Sequence, residues 1–332
     1  MTGPMKAKWV VVALTTSAVV ALLVWLKIDS TPADDGPSAD LVVVQMAAAE
    51  GKLQRLDMEL ATVTVPAREW IDHWKVKEEA SIRPSVSHAR WTFDGQRCRY
   101  ESVLRRVGGE GAQRSVAVFD SERSSSYTLM DGGASATGET QHAAVSAPAV
   151  EPTWTNLQPR RRLSAVLANG AHAEGAEVLR GLECTKLSLD NEDEAMTIWV
   201  APSRDWRPVR SETFLKTVKP SAPDYGKSPV KGLWREQEVY AFRRVGDCWL
   251  PSAGTKRTYQ FFKTGQKLLT STADFSLLDA TANGDVPAGT FDLVFPLETW
   301  VTNHDTSTTT RVGGDVTDIV EAVTTGTYAP PG

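Results

Sequence analysis

Two periods of hydrophobic and polar positions divide this chain. From Ser38, a residue type favoured at the first position of a helix, Val42, Met46, Ala49, Leu53 and Leu56 recur at helical spacing. The pattern predicts an amphipathic helix over Ala39–Leu56, weakened in its last turn by Gly51, with an apolar stripe that needs a sheet to cover. Beyond it the period is two. In RCRYESVLR, Cys98, Tyr100, Ser102 and Leu104 face one way while Arg97, Arg99, Glu101 and Arg105 face the other, one side for a core and one for water. Asp94-Gly95 just before is a hairpin-turn pair, so Val86–Val107 reads as a hairpin. CWLPSAGTKRTYQFF sets Trp249, Ala253, Thr255, Tyr259 and Phe261 on one face, and LLTSTADFSLL does so for Leu269, Ala273, Phe275 and Leu277.

Further strands are predicted at Met58–Val65, Arg114–Asp120, Ser125–Met130, Glu177–Leu189, Met196–Ala201, Val209–Val218 and Gln237–Val245. That makes roughly ten strands joined by short turns without βαβ alternation, which calls for an antiparallel sheet. A second helix is expected within Asn156–Asn169, built on Leu163, Val166 and Leu167 and stopped at Asn169-Gly170, with Arg160, Arg161 and Arg162 as its solvated face.

The N-terminus follows neither period. Lys6 and Lys8 precede WVVVALTTSAVVALLVWL, Trp9 to Leu26, which carries no charge. At about 18 residues it reaches the lower limit for crossing a bilayer core as a helix. Trp9 and Trp25 stand where aromatic rings favour the headgroup level, and the lysines favour a cytoplasmic N-terminus. No small-x-small site follows, so the segment reads as an uncleaved signal anchor with the large domain outside, and no Cys is placed for lipoprotein processing. Asp29–Ser38, with two prolines and a glycine, is a solvated tether.

Composition narrows the function. The 332 residues are mildly acidic, with a formal net charge of -5, and the basic residues form no stripe, which argues against a nucleic-acid partner. Cys98, Cys184 and Cys248 sit among strand residues and are expected to be buried apolar side chains. With five dispersed histidines they assemble no metal set. No nucleophile motif or phosphate loop is present, so neither an enzyme nor a cofactor is expected. The glycine pairs at 108–109, 132–133 and 313–314 read as turns, and the acidic run Asp190–Glu194 as a solvated turn.

The order FDGQRCRYE, RGLECTKL, TIWVAPSRDWRPVRSE, DCWLPSAGT and FDLVFPLETWVTN resembles the outer-membrane lipoprotein-sorting superfamily of periplasmic lipoprotein carriers and sigma-factor regulators. In that family a strand ends in an aromatic-rich corner, matched here by Trp199, Pro202, Pro208 and Arg210. The resemblance covers Ser38 to about Asn303. It implies a mainly β (α+β) domain, a strongly curved antiparallel sheet or half barrel with helices on its concave side, added to one N-terminal transmembrane helix. The expected organisation is a cytoplasmic stub at 1–8, an anchor at 9–27, a linker at 28–37, a half-barrel domain at 38–305 and a polar tail at 306–332. The resemblance further implies an apolar cavity for a lipid or lipoprotein acyl chain. Tyr100, Leu104, Trp199, Trp249, Phe261 and Phe275, from the faces read as inward, are its expected walls. The alternative is a structural or regulatory protein of the cell envelope with a filled core and an envelope protein partner. In either case the protein is placed in the bacterial inner membrane with its domain in the periplasm.

Overall fold

A computed structural model describes residues 37–76, 82–95, 97–119, 123–130, 136–142, 162–192, 194–216 and 230–313. The apolar run at 9–26, most of the linker, Arg160, Arg161, the 132–133 glycine pair and the tail beyond 313 lie outside these residues. Among the described residues no helix is long and apolar enough to cross a membrane.

The fold is mainly β, one large open sheet with few helices. Its strands are β1 (Leu56–Pro66), β2 (Ser85–Phe93), β3 (Cys98–Arg106), β4 (Ala112–Phe119), β5 (Arg123–Met130), β6 (Ala136–His142), β7 (His172–Leu179), β8 (Leu182–Asp190), β9 (Glu194–Ala201), β10 (Arg207–Leu215), β11 (Val230–Val245), β12 (Cys248–Phe262), β13 (Lys267–Ala282), β14 (Thr299–Asn303) and β15 (Thr308–Arg311). The helices are α1 (Ala39–Gly51), α2 (Arg68–Trp74) and α3 (Leu163–Leu167). All fifteen strands form one sheet in the order β15-β14-β6-β5-β4-β3-β2-β1-β13-β12-β11-β10-β9-β8-β7. Neighbours are antiparallel except β14, which pairs with β6 in parallel. A parallel pair needs a crossover. Residues 284–298 supply it as a strap, leading from β13 across to the far end of the sheet.

Helix α1 begins where expected, with the Ser38 hydroxyl accepting from Leu41 N–H at 3.4 Å. It stops at Gly51, five residues earlier than its apolar spacing suggests. Leu53 and Leu56 are instead drawn into the core as the chain turns into β1. The Val86–Val107 hairpin forms as β2 and β3, its turn closed by Asp94 Oδ1 accepting from Arg97 N–H at 2.8 Å. The single strand expected at Glu177–Leu189 is two, β7 and β8, because Arg180 and Gly181 both take positive φ (51° and 76°). Two consecutive left-handed residues make the tight turn that matches strand twist. β6 and β15 are polar strands that the alternation does not mark, β14 is a short one holding Trp300 and buried Val301, and β15 carries the sheet past the expected boundary at 305.

Candidate functional site

Assigning each strand residue to a face begins at β9. Ile198 and Val200 share an apolar cluster with Val42 and Met46 of α1 and Leu163 and Leu167 of α3, so this face of the sheet carries the helices. Successive side chains alternate between faces, and the register carries the assignment from strand to strand. The row Ile198, Ser211, Gln237, Lys256, Ala273, Thr64 lies on the helix-bearing face. So does the row Val239, Gly254, Phe275, Thr62, Ser87, Leu104. The main core cluster fills this face from β4 to β11, with Trp91, Phe93, Cys98, Phe119, Leu250 and Phe275 among its members.

The six expected wall residues therefore divide. Tyr100, Leu104 and Phe275 are on the helix-bearing face. Phe275 is buried in the core, and Gly254 must lack a side chain, since a Cβ there would lie 2.4 Å from the Phe275 ring and 2.3 Å from the Glu238 carbonyl oxygen. Tyr100 packs on that core, its ring centroid 4.7 Å from that of Trp91, and burial raises its phenol pKa. Leu104 is half-buried.

Trp199, Trp249 and Phe261 lie on the outer face. Trp199 is buried there, its indole N–H donating to Glu177 Oε2 at 2.7 Å while Arg210 and Lys186 stand 4.9 and 5.6 Å from its ring. Trp249 alternates with the core residues Cys248 and Leu250, and Arg204 stacks 4.3 Å over its ring. Phe261 meets Phe214 edge-on at 5.1 Å. Bulges explain part of the difference from the sequence pattern. A register shift between Thr258 and Tyr259 sends Leu269 outward although Ala273 and Phe275 point inward.

The TIWVAPSRDWRPVRSE stretch is a corner. After β9 the chain makes one 3₁₀ turn, Pro202–Arg204, then takes left-handed φ at Asp205 (52°) and Trp206 (56°) before β10. Asp205 holds the corner together by accepting from Trp249 N–H at 2.8 Å and from Lys52 Nζ at 2.9 Å, just past the end of α1. Burial alone would raise the Asp205 pKa, but these two partners hold it below its ordinary value. Arg207 beside it is 3% exposed and donates from Nε to the Trp249 carbonyl at 3.1 Å. Its Nη2 has no hydrogen-bond partner, and burial pulls its pKa below the ordinary arginine value.

What the helix-bearing face leaves open is a floor of small side chains. Thr62, Thr64, Ser87, Ala89, Ser102 and Ala273 surround Tyr100 and Leu104, and all except Ser102 are half-buried. Helices α1 and α3 pack over β8 and β9 on the same face, with β10–β12 between them and this floor. At its lower end α2 closes on β12, where Trp74 stacks on Phe262 at 6.3 Å and donates to Gln260 at 2.6 Å. Sequence reasoning missed the floor because small polar residues on alternate positions give no apolar signal.

The outer face carries two polar clefts, of about 450 and 550 Å³, beside the strap. In the first, Arg90 donates from Nε and Nη2 to Asp57 at 2.9 and 2.6 Å and holds its carboxyl below the usual range. Arg99 donates to the strap carbonyls of Thr290 and Asp292 at 3.1 and 3.2 Å. These charges satisfy one another and offer an acyl chain nothing. Cys98, Cys184 and Cys248 are free and buried, and burial raises each thiol's pKa. Among the described residues, no group of three or more His, Cys, Asp or Glu could hold a metal ion. Asp190 is exposed at the β8–β9 turn, as expected, and pairs there with Lys216.

No family model matches this chain, and no curated protein matches it. Among solved structures, a LolA superfamily protein from Nitrosomonas europaea is similar over 78% of this chain and 99% of its own, at 12% identity and a TM-score of 0.40. MucB in complex with MucA(peri) is similar over 74% of this chain and 100% of its own, at 10% identity and a TM-score of 0.19. At these values neither likeness assigns a ligand or partner.

Proposed function

We propose that this chain is a non-enzymatic protein of the bacterial envelope, anchored in the inner membrane by Trp9–Leu26 with its sheet in the periplasm, and that it holds a lipid or lipoprotein acyl chain on the helix-bearing face. The observation that supports this reading is the floor around Leu104. It is a strip of small, half-buried side chains, bordered by the apolar core at one end and by α2 at the other, on the face where every large core residue of the central strands gathers. A methylene chain laid along it would exchange water for apolar contact at about 0.8 kcal/mol per buried CH₂. About ten buried carbons would then offset association costs at the lower end of their range.

A second reading, a regulatory or structural envelope protein with a filled core and a protein partner, is favoured by Phe275. That ring is 8% exposed and embedded in the core cluster. Native mass spectrometry of the full-length protein released from detergent separates the two. On the first reading it carries co-purified lipid, and Leu104→Trp displaces that lipid while shifting stability by less than about 1 kcal/mol. On the second, no lipid is bound, and Leu104→Trp destabilises by the 1–3 kcal/mol typical of over-packing.

A further inference from the structure

We infer that the end of the sheet opposite the Pro202–Trp206 corner docks on an anionic lipid surface. The register defines this end: β1 finishes at Pro66 beside Ser271, β2 begins at Ser85, β3 ends at Arg106 and β5 ends at Met130 opposite Gln113. Val63, Val65, Trp74, Val86, Val107 and Met130 are gathered here, each 40–56% exposed. They are six of the twelve large hydrophobic side chains exposed among the described residues, on one rim of a fifteen-stranded sheet. Val63 and Val86 sit directly opposite each other across the β1–β2 ladder. A clustered apolar patch of this kind marks an interaction site, whereas scattered exposed residues would need no explanation.

Charge gives the patch its partner. Lys75, Arg105, Arg106 and Lys263 are exposed along the same rim. Of the acids described there, Asp72 is paired with Arg68 at 3.0 Å, leaving Glu69, Glu110 and Asp274, which faces Val63 across the β1–β13 ladder, against four basic residues. The acidic β8–β9 turn shares this end of the sheet but lies three strands beyond β12. Apolar and aromatic tips interleaved with Lys and Arg suit the headgroup layer of an anionic membrane, where each basic residue is attracted to the surface.

The path of the chain points the same way. Lys52, just past α1, is pinned to the corner by Asp205, and α1 is about 20 Å long. Its first residues share a cluster with Leu189 and Met196, the cross-strand pair beside the β8–β9 turn. The chain therefore enters from the docking end. Residues 28–37 can span at most about 35 Å, so an anchored apolar run would hold this rim next to the bilayer. This last step rests on the anchored reading of the proposed function.

The test places an environment-sensitive fluorophore on Val65→Cys, on Val86→Cys and, at the other end of the sheet, on Val178→Cys in the full-length protein, the native cysteines being buried. Each variant is mixed with phosphatidylcholine vesicles with and without phosphatidylglycerol. Labels at 65 and 86 should shift to the blue and be quenched by spin-labelled lipid, more strongly with phosphatidylglycerol, while the label at 178 stays as in water. Each of Arg105→Gln, Arg106→Gln and Lys263→Gln should weaken the phosphatidylglycerol-dependent contact about fivefold, equivalent to about 1 kcal/mol. Water-like emission at 65 and 86 in both vesicles, or equal quenching at 178, overturns the proposal and leaves a protein partner for the patch. Carbonate extraction scores the anchor separately. Extraction of the protein removes the anchored reading, whereas phosphatidylglycerol-dependent quenching at 65 and 86 still decides the docking.

Discussion

The two arms of the sheet solve the same problem differently on their outer faces. Across β1–β6 the strap at 284–298 covers the sheet. Arg99 grips its carbonyls, Arg97 stacks 4.4 Å over Phe291, and Phe295 packs against Tyr127 and over Gly138. Across β9–β12 no described segment lies over the face, and cations stand over most of its aromatic rings. Lys267 stands 3.6 Å over Trp234, Arg180 lies 4.5 Å over Tyr240, and Lys231 lies near both Phe214 and Phe261. Glu236 knits the second layer together, accepting from Trp234 Nε1, Tyr259 Oη and Lys267 Nζ at 3.0–3.1 Å. An aromatic on a strand is thus no guide to the inside: rings can be shielded by the chain or by the long side chains of their neighbours.

The comparison breaks most sharply at the strap. Phe291→Ala should cost about 3–5 kcal/mol, the range for a buried phenylalanine, while half-buried Phe261→Ala should cost about 1 kcal/mol. Thermal or urea denaturation of the two variants checks this, and equal losses would mean that the strap is not a true cover. Gly138→Val comes next. A Cβ there lies 2.7 Å from the Phe295 ring, so over-packing should cost about 1–3 kcal/mol. Lys267→Met removes a cation from over Trp234 and should cost only about 0.5–1 kcal/mol, read out as a change in indole emission.

The smallest effect is a pH dependence, acid and alkaline in the uncovered arm's layer but acid only beside the strap. Burial opposes the charge on Glu236, but Lys267 and Tyr259 outweigh it, so its pKa lies below the ordinary 4.5. Its contribution is present above that value and lost as pH falls below it. Tyr259 is pushed up to about 12 by burial and then by Glu236, so its contribution is complete below the ordinary value of 10 and lost between 10 and 12. Asp57, beside the strap, shares the acid response only. Alkaline titration followed at Trp234 and at Phe291-strap probes should move the first before the second.

Much of the fold was legible because alternation is a direct consequence of strand geometry. RCRYESVLR fixed its own faces, and Asp94-Gly95 fixed the turn before it. Three things were hidden. β6 and β15 are polar on both faces, so no alternation marks them. The Arg180–Gly181 turn lacks the Asn or Asp that usually announces it. Above all, period two says that Trp249 and Leu250 point oppositely but not which is inside. Apolar content suggested Trp249, and the register with Gly254 and Phe275 decides for Leu250. The corner was legible as a turn between two strands, whereas the floor around Leu104 has no signature beyond small residues.

Photo-crosslinking distinguishes an acyl chain on the helix-bearing face from one on the outer face. The full-length protein would be loaded with a palmitate carrying a diazirine in its chain, irradiated, and mapped residue by residue. Adducts are expected on the helix-bearing face, at Leu104 and its neighbours Ser87 and Ala273. Adducts at Trp234 or Phe261 on the outer face, or none on the sheet, would contradict an acyl chain held there.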